Sequence, residues 1–179
     1  PSEMPSGYEI EALKAQAVIA RTNIMNILGS RRSIDDYQLN QPYIAPSALK
    51  KQLGDQWQAA ADRISLAVLS TSDHIIVYDG VPISALFFKC SGGKTRSAEE
   101  VFGSDIPYLI SVDSSWDSQS PDFTDETVID TDTLMRLMQS YDSNFFAAPS
   151  GLTETIQIIS RDSAGYVQTI QIGNLSLSG

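Results

Sequence analysis

The stretch HIIVYDGVPISALFFKC, residues 74–90, decides the fold class. Two runs rich in β-branched and aromatic residues flank Asp79-Gly80. That dipeptide favours the positive φ angles of a two-residue type I′ turn, so the segment is expected to be a β-hairpin. A second hairpin is expected in TIQIISRDSAGYVQTIQIG (155–173), where two alternating apolar runs surround Asp162-Ser163-Ala164-Gly165. Upstream of both lie helical patterns. Residues 6–28 are expected to be a helix opened by a Ser6/Glu9 capping box and stopped by Gly29. A second helix is expected over 46–62, followed by a strand at Ile64–Ser70. Further along, Ser97–Phe102 reads as a short helix, Tyr108–Val112 as a strand, and Thr131 as the cap of a helix through Met138. Helices first and antiparallel hairpins afterwards define an α+β fold. At 179 residues the chain is expected to be one domain, 1–179, with two lobes dividing near residue 114.

Composition narrows the function. Hydrophobic residues make up 42% and charged residues 19%, ordinary for a globular protein, but the formal net charge is −10. A surface of that sign opposes binding to nucleic acid and to anionic membranes. Much of the charge falls in Asp113–Asp132, expected to be a solvated loop; it lacks the spacing of a calcium loop. Cys90 has no partner for an intrachain disulfide. No run of 18 apolar residues is present.

Two motifs invite chemistry. Gly92-Gly93-Lys94-Thr95 looks like the end of a phosphate-binding loop, but the position that needs the first glycine is Phe88, and no βαβ unit surrounds it. A Cys90/His74 nucleophilic pair is conceivable, yet Cys90 alternates with Leu86 and Phe88 and reads as a small core residue. The first helix is more informative. Leu13, Ala17, Ala20, Ile24, Ile27 and Leu28 form one apolar stripe, and Ala15, Val18, Ile19 and Thr22 make a second, with Glu11 in line with it and Arg21 and Asn23 on the flanks. If both faces are covered, Glu11 looks into a cleft, where a carboxyl can serve as a general acid. The simpler reading of the residues alone is a surface glutamate paired with Lys14 three positions on.

MPSGYEIEALKAQAVIART (4–22) resembles the signature of the stage II sporulation protein D family. The resemblance continues through VYDGVPISALFFKCSGGKTRSAEEVFG (77–103), PYLISVDSSWDSQSP (107–121) and SRDSAGYVQTIQIG (160–173). It implies a lytic transglycosylase that cuts peptidoglycan glycan strands between N-acetylmuramic acid and N-acetylglucosamine during sporulation engulfment, leaving 1,6-anhydro ends. Glu11 is then the catalytic acid. Gln41 and Tyr43 correspond to the family's Gln-x-Tyr segment, and Ser91, Gly92, Gly93 and Thr95 to a loop expected to border the substrate. Trp116 is expected in the core, with stacking on a sugar as the alternative. Some members bind zinc just before the Gln-x-Tyr segment; in SIDDYQLNQPYI (33–44), Ile34 and Asn40 stand where cysteines would fall, so no metal and no other cofactor is expected. The implied setting is extracytoplasmic, at the wall between forespore and mother cell, on a protein tethered by an N-terminal transmembrane helix. Its expected partners are a sporulation amidase, an endopeptidase and membrane engulfment proteins. The segment between Arg21 and Tyr43 is short for the family, and the family's Arg-Ser-Thr end is absent after Gly179. The other reading is a wall-binding enhancer of an N-acetylmuramoyl-L-alanine amidase that does not itself cut glycan.

Overall fold

The computed structural model describes residues 3–35, 44–147 and 151–179. The chain divides into two compact units, Pro1–Phe87 and Phe88–Gly179. The segment after Phe88 is tied to the C-terminal hairpin, as set out below. Helices and two small antiparallel sheets make up the α+β fold expected.

The first unit is built on α1 (Ile10–Leu28), α2 (Pro46–Leu53) and α3 (Trp57–Leu69), followed by the β1 (Val77–Tyr78) and β2 (Val81–Pro82) hairpin. Asp79 (φ 48°) and Gly80 (φ 77°) both occupy the left-handed region, as a type I′ turn requires. The Ser6/Glu9 box does not form. The Arg63 guanidinium instead takes the Ser6 carbonyl at 2.9 Å and the Tyr8 carbonyl at 2.5 Å, and α1 begins at Ile10 after an uncapped Glu9. Gly29 does end the helix, its N–H donating to Met25 O. The strand expected at Ile64–Ser70 is the second half of α3. Ala60 and Ala67, two turns apart, are both buried on a helix packed against α1, and this tertiary contact overrides the local β-propensity of Ile64 and Val68.

The buried face of α1 also differs from the apolar stripe. Ile24 is exposed, whereas Thr22 is completely buried. Its hydroxyl donates to Val18 O at 2.7 Å and accepts the Ile76 N–H at 3.0 Å. Asn23 donates to Ala85 O at 2.9 Å and accepts the Ala85 N–H at 2.7 Å, and Asn26 donates to Pro82 O at 2.7 Å. Arg21 donates to the Thr71, His74 and Val68 carbonyls, where α3 ends. Polar side chains thus dock the hairpin and the end of α3 onto α1, because backbone groups removed from water need partners.

In the second unit, α4 (Ala98–Phe102) carries a complete capping box, Ser97 with Glu100. α5 (Thr131–Tyr141) is capped by Asp130, whose carboxylate accepts the Thr133 N–H at 2.8 Å, rather than by Thr131. The C-terminal sheet has the order β3 (Ile156–Arg161), β4 (Val167–Ile172), β5 (Leu175–Ser178), all antiparallel, with irregular register near Ser160. β5 extends the expected hairpin by a strand. No strand forms at Tyr108–Val112: Thr95 N–H donates to Val112 O, but the Val112 N–H is taken by the Thr95 hydroxyl at 2.8 Å, which ends the ladder after one bridge, Lys94 to Asp113.

Candidate functional site

Glu11 lies in the first turn of α1, a 19-residue helix. Its entry is held by the Arg63 bonds to Ser6 and Tyr8, and its far end by Asn23, Asn26 and Arg21. The carboxylate is 77% exposed and pairs with the Lys14 ammonium at 2.7 Å. The covered cleft expected from the second apolar stripe is therefore not what surrounds it. Thr22 is the member of that stripe that is buried, and it sits three turns further along, under the hairpin. An exposed pair of this spacing is worth only about 0.2–0.5 kcal/mol, so an incoming ligand can displace Lys14 at little cost. Gln41 and Tyr43 lie outside the described residues.

The Ser91–Thr95 loop belongs to the second unit, and its polar groups are largely engaged within that unit. Ser91 is buried; its N–H and hydroxyl donate to Asp117 Oδ2 at 2.8 and 2.6 Å, and its oxygen accepts the Gly93 N–H at 3.1 Å. The Ser114 hydroxyl adds a third bond to the same Asp117 oxygen at 2.9 Å. These bonds, the Ser91 hydroxyl foremost, then the Ser91 amide and Ser114, hold the Asp117 carboxyl below its ordinary value. The Gly92 N–H donates to the Tyr166 hydroxyl at 2.8 Å, and a Cβ on Gly92 would stand 3.4 Å from that ring. Gly93 has φ 98°, which side chains rarely adopt. Ser91, Gly92 and Thr95 thus shape the loop with the atoms they would otherwise offer to a ligand. The same bonds explain physically why the loop is no phosphate cradle: amides that would wrap a phosphate already have partners.

A second knot adjoins it. Arg96 Nε contacts Asp162 Oδ2 at 2.6 Å, with Asp162 2% exposed, and the guanidinium lies 5.9 Å above the Tyr166 ring. Glu100 accepts from the Ser163 hydroxyl at 2.5 Å and from the Ser97 amide and hydroxyl, which together, Ser163 first, lower its carboxyl below the usual value. Lys94 donates to the Ser163 carbonyl. Residues 91–100 are in this way bound to the Asp162–Tyr166 turn. Sequence reasoning missed Asp117, Arg96, Asp162 and Tyr166; the signal available was only that they fall inside the family-like blocks.

Trp116 is not in the core. It is 79% exposed on the short 3₁₀ turn Ser115–Gln119. The acidic segment is likewise not wholly solvated, since Asp117 turns inward to Ser91. Cys90 is half-buried in the second unit and His74 belongs to the first. Among the described residues no group of three or more His, Cys, Asp or Glu side chains converges, and no helix is long and apolar enough to cross a membrane.

Residues 1–78, which carry Glu11 and the whole of α1, match the family described as Stage II sporulation protein. Stage II sporulation protein D of Bacillus subtilis (strain 168) is 42% identical over 130 residues, and that of Bacillus amyloliquefaciens 41%. Each alignment covers 68% of this chain and 38% of the relative, so the chain spans about two fifths of the length of these proteins. A Bacillus subtilis protein named amidase enhancer is 30% identical across the entire chain, which matches 24% of that relative. With the helix that bears Glu11 inside the matched region, the chain belongs to the stage II sporulation protein D family.

Proposed function

We propose that this chain is the glycan-cutting part of a lytic transglycosylase that acts on peptidoglycan strands, with Glu11 as its acid and base. The observation that carries this reading is the family match over residues 1–78, which contains Glu11 at the head of its Glu-Ala-Leu-Lys stretch; the surface pairing with Lys14, the simpler reading of the residues, is what the free chain shows, and it leaves the carboxylate open to a ligand. One carboxyl group suffices for the chemistry. Its proton passes to the glycosidic oxygen as the bond from C1 of N-acetylmuramic acid breaks. The sugar's own 6-hydroxyl then bonds to C1 and returns its proton to Glu11, giving a 1,6-anhydro end without water or a second carboxylate. Ordinary glycosidases differ in needing a carboxylate pair. The setting that follows is the wall remodelled in sporulation, with an amidase as the natural co-worker.

The match along the whole of this chain to 24% of an amidase enhancer supports a second reading, in which the domain binds wall and stimulates an amidase without cutting glycan. One experiment separates the two. Glycan strands stripped of stem peptides are incubated with the chain and with Glu11→Gln, and the products are weighed by mass spectrometry. The enzyme reading expects 1,6-anhydro ends from the unaltered chain and none from the variant. Equal rates for both would remove Glu11 from the mechanism; no cutting by either, with stimulation of an N-acetylmuramoyl-L-alanine amidase, would establish the enhancer.

A further inference from the structure

We propose that Trp116 is a stacking platform for a neutral N-acetylated sugar of a glycan chain, an assignment that rests on the glycan reading above. An indole is a large apolar surface that folded chains usually cover, yet this one is 79% exposed. It is also presented rigidly. The turn that carries it is fixed by Asp117, which receives three hydrogen bonds from Ser91 and Ser114, and by the Ser118 hydroxyl donating to Ser115 O at 2.6 Å. A ring already held in place loses little freedom when a ligand covers it.

The surroundings select the ligand. Asp113 accepts the Ser115 hydroxyl at 2.8 Å and keeps lone pairs to receive sugar hydroxyls, while Ser115, Ser118 and Gln119 are exposed on the same turn. An apolar ring face with hydroxyl, amide and carboxylate groups around it is complementary to a pyranose, which offers C–H groups on its faces and hydroxyls on its rim. No Lys or Arg occurs from Ser97 to Met135, and Lys89, which reaches this segment from outside that span, is paired with Asp122 at 2.8 Å. A lactyl carboxylate would meet like charge there, so the sugar on Trp116 is N-acetylglucosamine rather than N-acetylmuramic acid.

The test measures binding without turnover. The Glu11→Gln chain is titrated calorimetrically with a neutral N-acetylglucosamine oligomer and with stem-peptide-free glycan strands. Adding Trp116→Ala is expected to weaken binding of both about tenfold, equivalent to about 1.4 kcal/mol, and Trp116→Phe to restore most of it. The neutral oligomer is expected to bind at least as tightly per site as the anionic strand. Unchanged affinity in Trp116→Ala, or no binding of either glycan to the Glu11→Gln chain, overturns the assignment. So does loss of amidase stimulation by Trp116→Ala with glycan affinity intact, which would make the ring a protein contact. Cutting by Glu11→Gln would instead overturn the role of Glu11 and leave the binding result standing.

Discussion

Replacing Asp162 by alanine should destabilise the second unit by about 3 kcal/mol. Two sets of contacts are lost. The carboxylate's Oδ1 accepts the Ala164 and Tyr166 amides at 3.0 and 2.9 Å, and Oδ2 meets Arg96 Nε at 2.6 Å. Removing one partner of a buried pair typically costs about 3–5 kcal/mol, because the remaining charge is left uncompensated. Arg96 is 25% exposed and can be partly rehydrated, which puts the cost at the low end of that range. Asp162→Asn keeps an acceptor for the two turn amides and loses only the charge, so about 2 kcal/mol is expected. Hydrogen exchange at the β3 and β4 amides, which belong to the second unit, followed as a function of urea measures both; the midpoint should fall while the slope is kept. A loss below about 1 kcal/mol for Asp162→Ala refutes the reasoning. So does an Arg96→Ala/Asp162→Ala double variant as costly as the two single changes added together, since a real pair must couple.

In the first unit, Thr22→Val removes a hydroxyl that both donates to Val18 O and accepts the Ile76 N–H. It leaves the part-buried Ile76 amide without a partner and should cost about 1–2 kcal/mol, whereas Thr22→Ser keeps both hydrogen bonds and loses only a buried methyl, about 1 kcal/mol. Hydrogen exchange at the Ile76 amide should accelerate in the valine variant, and unchanged protection there would count against the arrangement. Acid should loosen the second unit for a definite reason. Asp117 and Glu100 are lowered from ordinary values of 3.8 and 4.5, so the stability they contribute is fully present above those values and is lost as pH falls through the depressed folded ones. Circular dichroism is therefore expected to stay flat from neutral pH to about 4.5 and to fall below about 4, with Asp117→Asn flattening that fall. A transition centred above pH 5 would show that other groups govern it.

The elements legible in the sequence were those whose causes are local. Asp79-Gly80 announces its turn because few residues tolerate positive φ, Gly29 announces the end of α1 for the same reason, and Ser97 with Glu100 caps α4 through contacts three residues apart. The readings that failed depended on distant partners. Arg63 takes the Ser6 and Tyr8 carbonyls and α1 starts only at Ile10, so Ser6 is not at the helix N-terminus where a capping box would form, and Ile64 stays helical because α3 lies against α1.

Sequence alone determined the α+β class, the family signature around Glu11 and the exclusion of a nucleotide loop by Phe88. Only the tertiary structure decided what these residues touch. It turned Arg21, Thr22 and Asn23 into the docking face of α1. It drew Asp117 onto Ser91, paired Arg96 with Asp162 and left Trp116 in solvent. The physical reason is that a polar group's role is set by which unsatisfied donor or acceptor the folded chain brings to it, and those partners lie about 26 to 66 residues away in the sequence, beyond any periodicity.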